Sequence, residues 1–251
     1  MSDEIDWPCE VFTQYQDRNL GCRWGVIAAV DWFFGNEEAG VILEDDVIAD
    51  PSFFQFSAEL LERYRDEPRV MAITACNFQP PDRVYEHSYY FSCFNHVWGW
   101  ASWRRAWALY DKSLGDLDAP ATRAAIRTQS DVPGFEGYWV ARFRSVMEGD
   151  IDTWDYGWTL ACWLADGLTC TPRANLMKNI GFGDDATHTT NSSDSSASLV
   201  ANALPFPLKH PPIIEQSRDN DDYVARKIFR IDRLSFFRRF RRQLKARLRR
   251  S

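Results

Sequence analysis

Three consecutive acidic residues, Glu44, Asp45 and Asp46, follow a short apolar run at positions 40–43. Clustered carboxylates repel one another and are costly to desolvate unless a cation neutralises them. Their hard oxygens suit Mg²⁺ or Mn²⁺, which usually keep several waters and also bind substrate phosphates. The pattern therefore predicts a site for a divalent cation and a diphosphate. The alternative is a solvated acidic turn that caps the next helix, a role that Asp50 already fits.

Another acid, Asp155, lies within the aromatic segment Thr-Trp-Asp-Tyr-Gly-Trp at positions 153–158. Aromatic surroundings desolvate a carboxyl group and raise its pKa toward a value that suits a general base. Such a base removes the proton of an attacking hydroxyl group. Two alternatives remain open. Asp155 can cap the helix predicted to begin at Tyr156, alone or in addition to acting as the base, and the neighbouring Asp152 can be the base instead.

Four tryptophans lie within the ten residues from position 98 to position 107. Gly99 stands between Trp98 and Trp100, and a glycine lets the backbone approach a ligand closely. Gly99 and Trp100 are therefore predicted to form the floor of a binding pocket. Trp103 and Trp107 are four residues apart, which places them on one helical face, and they are expected to face the core.

Alternating strands and helices are predicted around these residues. A strand at 9–15 and a helix at 22–34 precede the apolar run that ends at the acids. A helix at 53–64, with Asp50 as its N-cap and Pro51 in its first position, and a strand at 69–76 follow. Further elements are predicted at 103–110 (helix), 156–165 (helix) and 168–171 (strand). The alternation is typical of a mostly parallel α/β sheet, which binds ligands at the carboxyl ends of its strands.

Residues 40–54 have the sequence Gly-Val-Ile-Leu-Glu-Asp-Asp-Val-Ile-Ala-Asp-Pro-Ser-Phe-Phe. This segment resembles the D-x-D region of GT-A glycosyltransferases. It is closest to the N-acetylglucosaminyltransferase I type, in which E-D-D also precedes a P-x-F-F helix. The similarity includes the helix at 24–34 and the strand at 70–77. Gly99-Trp100 is similar to the family's glycine-tryptophan loop on the acceptor side, and Trp154-Asp155 is similar to its W-D motif. The resemblance extends over about residues 10–190.

On the donor side, the resemblance implies that Asp46 binds the metal ion directly and that Asp45 contacts the donor sugar. Glu44 would contact the ribose or a water on the metal. GT-A enzymes often close a loop over the nucleotide, and many supply a C-terminal histidine to the metal. Residues 180–188 form a glycine-bounded loop that ends in His188, so His188 is predicted as a second metal ligand. The alternative is a histidine that is merely exposed. The cofactor would be Mn²⁺ or Mg²⁺.

On the acceptor side, the resemblance implies that Asp155 is the base of an inverting transfer. Gly99, Trp100 and Trp154 would line the pocket for the acceptor or the sugar. A GT-A domain ordinarily has two more strands, with their helices, before the segment that begins here near residue 9. Because 43 residues precede Glu44, the predicted fold class is an α/β, Rossmann-like GT-A sheet that is N-terminally incomplete. The chain would then be part of a longer protein, or a partner would complete the sheet.

Charge is distributed unevenly along the chain. Residues 226–251 contain twelve Lys and Arg and one acid, a balance of +11, so the other residues carry −18 of the net charge of −7. Leucines and phenylalanines between positions 234 and 248 fall on one face of a predicted helix, with arginines around them. This pattern predicts a basic amphipathic helix that binds an anionic membrane surface. The alternative is a helix that packs on the acidic body of the same chain.

Three regions are predicted: a catalytic domain at 1–190, a Ser- and Pro-rich extended linker at 191–225 and the basic helix at 226–251.

The acidic body argues against nucleic acid as a partner. Neither a signal peptide nor an apolar window long enough to cross a membrane is found. The six cysteines show no zinc-like spacing and are expected to be small buried hydrophobes in a reducing compartment. The predicted location is therefore cytoplasmic and peripheral on the membrane.

Taken together, these patterns predict a metal-dependent hexosyl- or N-acetylhexosaminyltransferase in glycan biosynthesis. The donor would be a nucleoside-diphosphate sugar, most simply one linked to UDP, and the acceptor a hydroxyl group of a glycan or of a lipid-linked glycan. One alternative is a truncated, non-catalytic GT-A-like binding protein at the membrane surface. Another is a nucleotidyltransferase, which uses similar acids but usually has a glycine-rich nucleotide loop that this sequence does not contain.

Overall fold

A mixed sheet of five strands, flanked by helices, forms the centre of this α/β protein. The structure is a computed structural model that describes residues 5–181 and 199–231. Its strands are β1 (Ala39–Ile42), β2 (Val47–Ala49), β3 (Val70–Thr74), β4 (Tyr89–Ser92), β5 (Trp100–Trp103), β6 (Leu168–Pro172) and β7 (Met177–Asn179). Its helices are α1 (Gly21–Asn36), α2 (Ser52–Arg63), α3 (Arg104–Trp107), α4 (Pro120–Arg127), α5 (Phe135–Met147), α6 (Asp155–Leu164) and α7 (Arg218–Tyr223), and α7 continues as a π-helix over Val224–Ile228.

The strands of the main sheet are ordered β1-β5-β3-β6-β4, and β2 pairs with β7 in a separate ribbon. Strands β3 and β6 are parallel, whereas β5 is antiparallel to both of its neighbours and β4 is antiparallel to β6. Strands β1, β3 and β6 therefore run in the same direction. Their carboxyl ends meet at one edge of the sheet, which is where the acids after β1 lie.

The prediction of a mostly parallel sheet is wrong, because three of the four neighbouring pairs are antiparallel. The difference comes from β4 and β5, for which the sequence patterns predicted no strands. Parallel neighbours need a crossover of a dozen or more residues, usually a helix, whereas antiparallel strands tolerate short connections. Strand β5 lies between β1 and β3 and so separates two strands that were expected to be closer neighbours.

Most of the predicted elements are confirmed to within the usual uncertainty at their ends. They correspond to α1, β1, α2, β3, α6 and β6. The helix predicted at 103–110 is shorter and ends at Trp107. Helix α2 begins at Ser52, so Pro51 takes the N-cap position that was predicted for Asp50. The Asp50 side chain, one residue earlier, accepts a hydrogen bond from the Ser52 backbone N–H at 2.9 Å.

The strand predicted at 9–15 is wrong, because these residues form neither a strand nor a helix. Tyr15 is 87% exposed, and Val11 and Phe12 are exposed as well. Favourable side chains do not by themselves make a strand, which also needs a neighbouring backbone with which to pair. Among the described residues the segment has none.

Three apolar clusters surround the sheet. One packs α2 against β3, β4 and β6, with Phe53, Phe56 and Leu60 completely buried on the helix. Another lies between α5, α6 and the C-terminal residues, and a third joins α1 to the tryptophans of β5, α3 and α6. The third cluster lies beneath the candidate site and supports it.

Among the described residues, no helix combines the length and the apolar character that crossing a membrane requires.

The buried carboxylate of Asp221 attaches α7 to the central sheet. It accepts hydrogen bonds from the Ser92 hydroxyl at 2.6 Å, the Cys93 backbone N–H at 3.0 Å and the Gln216 side-chain amide at 2.7 Å. Since β4 ends at Ser92, these bonds hold the C-terminal segment against the edge of the sheet. Residues 203–212 form neither a strand nor a helix, and they pack on the body through the buried side chains of Leu204 and Leu208.

Replacing Asp221 with alanine should lower the free energy of unfolding by about 2–4 kcal/mol, because the change leaves buried donors without partners. Urea unfolding would measure the loss. Asp219→Ala, on the exposed side of the same helix, is the matched control and should have a much smaller effect. Equal stabilities of the two variants would contradict the role assigned to Asp221.

Candidate functional site

The three consecutive acids form the turn between β1 and β2, at the carboxyl edge shared by β1, β3 and β6. Strand β2 pairs with β7 in a register that places Val47 opposite Asn179. Asp46, which immediately precedes β2, is therefore held against the residues that follow β7. The turn joins two sheets, so its conformation is determined at both ends.

Within the part of the chain that the structure describes, Asp46 has a carboxylate oxygen that no donor satisfies. Its backbone carbonyl accepts the N–H of Ile180 at 2.7 Å, and its Oδ2 atom lies 3.4 Å from the side-chain amide of Asn179. Gly181 approaches so closely that a Cβ atom there would clash with Oδ2. The Oδ1 atom is buried and has no hydrogen-bond partner within the described residues. A buried anionic oxygen without a donor fits a position that binds a cation.

Glu44 is partly buried, and its pKa is raised to about 7. Burial is the largest cause, and the negative charges of Asp46, Asp155 and Asp45 add to it, whereas a hydrogen bond from the Trp154 side chain opposes the shift. Asp155 is therefore close enough to the E-D-D turn to interact with it electrostatically. The structure thus brings together two acidic segments that are more than a hundred residues apart in the chain.

Asp152 lies at the start of α1. Its carboxylate accepts the backbone N–H groups of Cys22 at 2.9 Å and Arg23 at 3.2 Å, and so satisfies donors that the first turn of a helix leaves unpaired. The pKa of the Cys22 thiol is raised to about 11, chiefly by burial and also by the nearby Glu44, Asp152 and Asp155. The first turn of α1 therefore borders the acidic site, and Asp152 connects it to the segment that carries Asp155.

Asp155 is the first residue of α6, and its Oδ1 atom accepts a hydrogen bond from the Thr153 hydroxyl. No side-chain capping bond is made at the start of this helix. The carboxylate lines a cleft of about 200 Å³ between α6, the residues before β5 and the C-terminal end of the described chain. Aromatic rings form much of the wall, including those of Phe78, Trp98 and Tyr156.

Trp100 and Trp154 lie in the core rather than on the wall of this cleft. Both side chains are fully buried, and their rings stack with centroids 5.4 Å apart. Because Trp154 also bonds to Glu44, the pair supports the acidic turn from below. Gly99 has a φ of 70°, which favours glycine. A Cβ atom at this position would clash with Met177 and lie 3.3 Å from Leu43, so Gly99 packs against the same turn.

Several cleft residues were not found by sequence reasoning, among them Asn95, His96 and Thr159. Asn95 and His96 precede the tryptophan-rich segment, but nothing in their spacing indicates a shared site with α6. His96 has a φ of 33°, which is uncommon for a residue with a side chain. Burial lowers the pKa of its imidazole to about 3, so the ring is neutral.

The acids of the turn form only part of a donor set for a divalent cation. Within the described part of the chain, no three His, Cys, Asp or Glu side chains are arranged to hold a metal ion. His188 lies outside the described residues. Among the described residues, the Oδ1 atom of Asp46 nevertheless has no partner, and the neighbouring acids contribute to the raised pKa of Glu44. Such a partial set of oxygen ligands fits Mg²⁺ or Mn²⁺, which complete their coordination with water and phosphate.

Glu44→Gln should make the metal-free protein more stable above pH 7. The pKa of Glu44 is about 7 in the folded protein and 4.5 in its ordinary state, so the folded protein binds more protons between these pH values. The stability of the native protein therefore falls as the pH rises through this window. The variant should lose that pH dependence. Above pH 7 its free energy of unfolding should exceed that of the native protein by about 1–2 kcal/mol, after allowance for the partial exposure of Glu44.

Urea unfolding at a series of pH values, with a chelator present, would measure this difference. Glu37→Gln, at an exposed position beyond the end of α1, is the matched control. The two pH profiles should diverge between pH 4.5 and about 7. Parallel profiles would show that Glu44 is solvated and outside the acidic cluster.

A scan of protein-family models finds none that matches the chain, and a search of curated proteins finds no similar sequence. The function is therefore inferred from the residues of the site and from their geometry.

Proposed function

We propose that the protein is a metal-dependent glycosyltransferase of the GT-A class, which transfers a sugar with inversion from a nucleoside-diphosphate sugar to a hydroxyl acceptor. One observation carries the proposal: the E-D-D turn after β1 lies beside Asp155, and their carboxylates interact electrostatically. A cation site close to a candidate base is what such a transfer requires. The resemblance of residues 40–54 to the D-x-D region supports the same assignment.

In this proposal Asp46 would hold the divalent cation, and Glu44 and Asp45 would lie next to it. When bound, the cation would neutralise the charge of the departing diphosphate. Trp154 orients the Glu44 carboxyl group through its hydrogen bond. The buried tryptophans below the turn exclude water from that side of the site, which strengthens the electrostatic interactions there.

Asp155 acts on the acceptor. The acceptor oxygen forms a bond to the anomeric carbon of the donor, the bond from that carbon to the diphosphate breaks, and the hydroxyl proton passes to the Asp155 carboxylate. The Thr153 hydroxyl holds Oδ1 of Asp155 through a hydrogen bond and so orients the carboxylate. Attack from the face opposite the leaving group produces inversion at that carbon.

A donor-hydrolysis assay tests the proposal. The full chain, with Mn²⁺, would be incubated with UDP-, GDP- and dTDP-sugars, and the released nucleoside diphosphate would be measured with and without a chelator. Metal-dependent release from one donor class is the expected result. Binding of a nucleotide without turnover would favour the non-catalytic alternative. Failure of every nucleotide to bind in the presence of Mn²⁺ would contradict both.

The attachment to an anionic membrane surface is a further part of the proposal that rests on sequence alone. Residues 232–251, which contain most of the basic amphipathic pattern, lie outside the described residues. The described chain ends in the π-helix and the buried residue Ile231, directly before that basic segment. Co-sedimentation with anionic vesicles, for the full chain and for a chain that ends at residue 231, distinguishes membrane binding from packing on the acidic body.

A further inference from the structure

The cleft beside Asp155 is small and mostly aromatic. Its volume of about 200 Å³ is below the range of sites for drug-sized ligands. Phe78 and Trp98 meet at a ring-centroid distance of 5.8 Å on one side, and Phe229 closes the C-terminal side by packing on Trp139 at 5.0 Å. The cleft therefore has room for one ring between flat apolar walls.

An unpaired amide lies in this aromatic cleft. Asn95 is 5% exposed, and its Oδ1 atom accepts a hydrogen bond from the Thr159 hydroxyl at 2.9 Å. Its Nδ2 group is buried and has no partner within residues 5–181 and 199–231. The indole N–H of Trp139, another cleft residue, is likewise buried and unpaired in that part of the chain. Buried donors are rarely left unsatisfied, so each indicates a missing acceptor.

Thr159 connects this amide to α6. Its hydroxyl oxygen lies 2.9 Å from Asn95 Oδ1 and 3.1 Å from the backbone carbonyl of Asp155. The Thr159 hydroxyl group therefore lies within hydrogen-bond distance of both the Asn95 side chain and the Asp155 backbone carbonyl. A ligand atom that accepts from Nδ2 would lie at a defined place relative to the Asp155 carboxylate.

The cleft does not favour anions. Its lining, as far as the structure describes it, contains no Lys or Arg, and His96 is neutral because burial lowers its pKa to about 3. Asp155 contributes negative charge. A phosphate group inside the cleft would meet a carboxylate and no cation, which is unfavourable in surroundings of low polarity.

We propose that this cleft binds one uncharged carbohydrate ring, the acceptor, and that Asn95 is a residue that determines its specificity. The proposal rests on the proposed transferase function, since it assigns the acceptor of that reaction. The apolar C–H faces of the ring pack on the aromatic walls, and its hydroxyl oxygens accept from Asn95 Nδ2 and Trp139 Nε1. One hydroxyl group donates to Asp155. If the acceptor carries a lipid phosphate, that phosphate lies outside the cleft.

Saturation-transfer NMR on the full chain would test this, with methyl glycosides of hexoses and N-acetylhexosamines as probes and phenyl phosphate as the anionic comparison. At least one glycoside should bind, and phenyl phosphate should not. Asn95→Leu keeps the approximate shape, and Thr159 retains the Asp155 carbonyl as its acceptor. The variant should bind the glycoside about fivefold to tenfold more weakly, because one hydrogen bond is lost. Asn36→Leu, at the exposed end of α1, is the matched control.

Unchanged glycoside affinity in Asn95→Leu, or binding of phenyl phosphate in competition with the glycoside, would overturn the proposal. If Asn95→Leu does not fold, Phe78→Leu is the second variant. It removes a flat ring but keeps apolar volume, and it should weaken glycoside binding by about threefold or more. The same variant with unchanged affinity would also overturn the proposal.

Nucleotide binding, measured on the same samples with UDP and Mn²⁺, separates the two proposals. Binding of UDP without binding of any glycoside overturns the acceptor assignment and leaves the donor site intact. Glycoside binding that depends on Asn95, together with no nucleotide binding, contradicts the transferase but supports the carbohydrate site.

Discussion

Replacing Asp46 with alanine should abolish the Mn²⁺-dependent binding of UDP or of a UDP-sugar. The Oδ1 atom of Asp46 is buried and has no donor among the described residues, so its loss removes the oxygen best placed to hold the cation. Loss of the partners that merely orient a metal ligand already costs about 10–100-fold in affinity or activity. We therefore expect a loss of about 100-fold or more, measured by isothermal titration with UDP in the presence of Mn²⁺.

Stability provides an independent check on the same variant. Because Asp46 raises the pKa of Glu44 by repulsion, its removal should leave the melting temperature of the metal-free protein unchanged or higher. Glu37→Ala, at the exposed position beyond the end of α1, is the control and should retain Mn²⁺-dependent binding of UDP. If Asp46→Ala binds UDP with unchanged metal dependence, Asp46 is not a ligand and the cation lies elsewhere.

Asp155→Asn should reduce the rate of sugar transfer by about 10²–10⁴-fold, the usual effect of losing a general base. The amide has the shape of the carboxyl group, and its oxygen can still accept the hydrogen bond from the Thr153 hydroxyl. Donor affinity should therefore be nearly intact. Steady-state kinetics with saturating donor would show a loss in kcat, while titration with UDP would show little change.

Asp152 is the natural control for this experiment, because the sequence left either acid open as the base. In the structure its carboxylate accepts two backbone N–H groups at the start of α1. Asp152→Ala should therefore cost about 1–2 kcal/mol of stability, as the loss of a helix cap does. Asp152→Asn should retain most of the activity. An active Asp155→Asn variant beside an inactive Asp152→Asn variant would transfer the role of base to Asp152.

The local elements and the acidic turn could be predicted from the sequence with good accuracy. Apolar periodicity identifies α1, α2 and α6, and the hydrogen bond that Asp50 accepts from Ser52 follows from its position before Pro51 and Ser52. The apolar run before Glu44 identifies β1 and places the acids at the end of a strand. These features depend on residues within a few positions of one another, so the sequence contains what is needed.

Pairing of strands could not be predicted in the same way. The direction of β5 between β1 and β3 depends on how an aromatic, loop-rich region folds back, and its short strands have no distinctive period. The segment 9–15 has suitable side chains for a strand but no neighbouring backbone among the described residues. Pairing depends on contacts across the fold, which local propensity does not contain.

Which tryptophans lie in the core and which line the cleft also depends on long-range packing. Trp100 and Trp154 were expected to line the acceptor side, and the structure buries both beneath the acidic turn. Aromatic rings suit a core and a binding surface equally well, so residue type alone does not distinguish the two.

The sequence by itself indicated which residues could do chemistry: the E-D-D turn and Asp155 were predicted as site residues from residue type and local context. Their proximity, the unpaired Asp46 oxygen and the cleft around Asn95 became visible only in the folded chain. The physical reason is that a carboxylate's pKa and a donor's missing partner depend on burial and on neighbours far away in the chain. The spacing of residues in the sequence does not show which of them become neighbours, because the packing of α6 against β5 and α1 brings distant segments together.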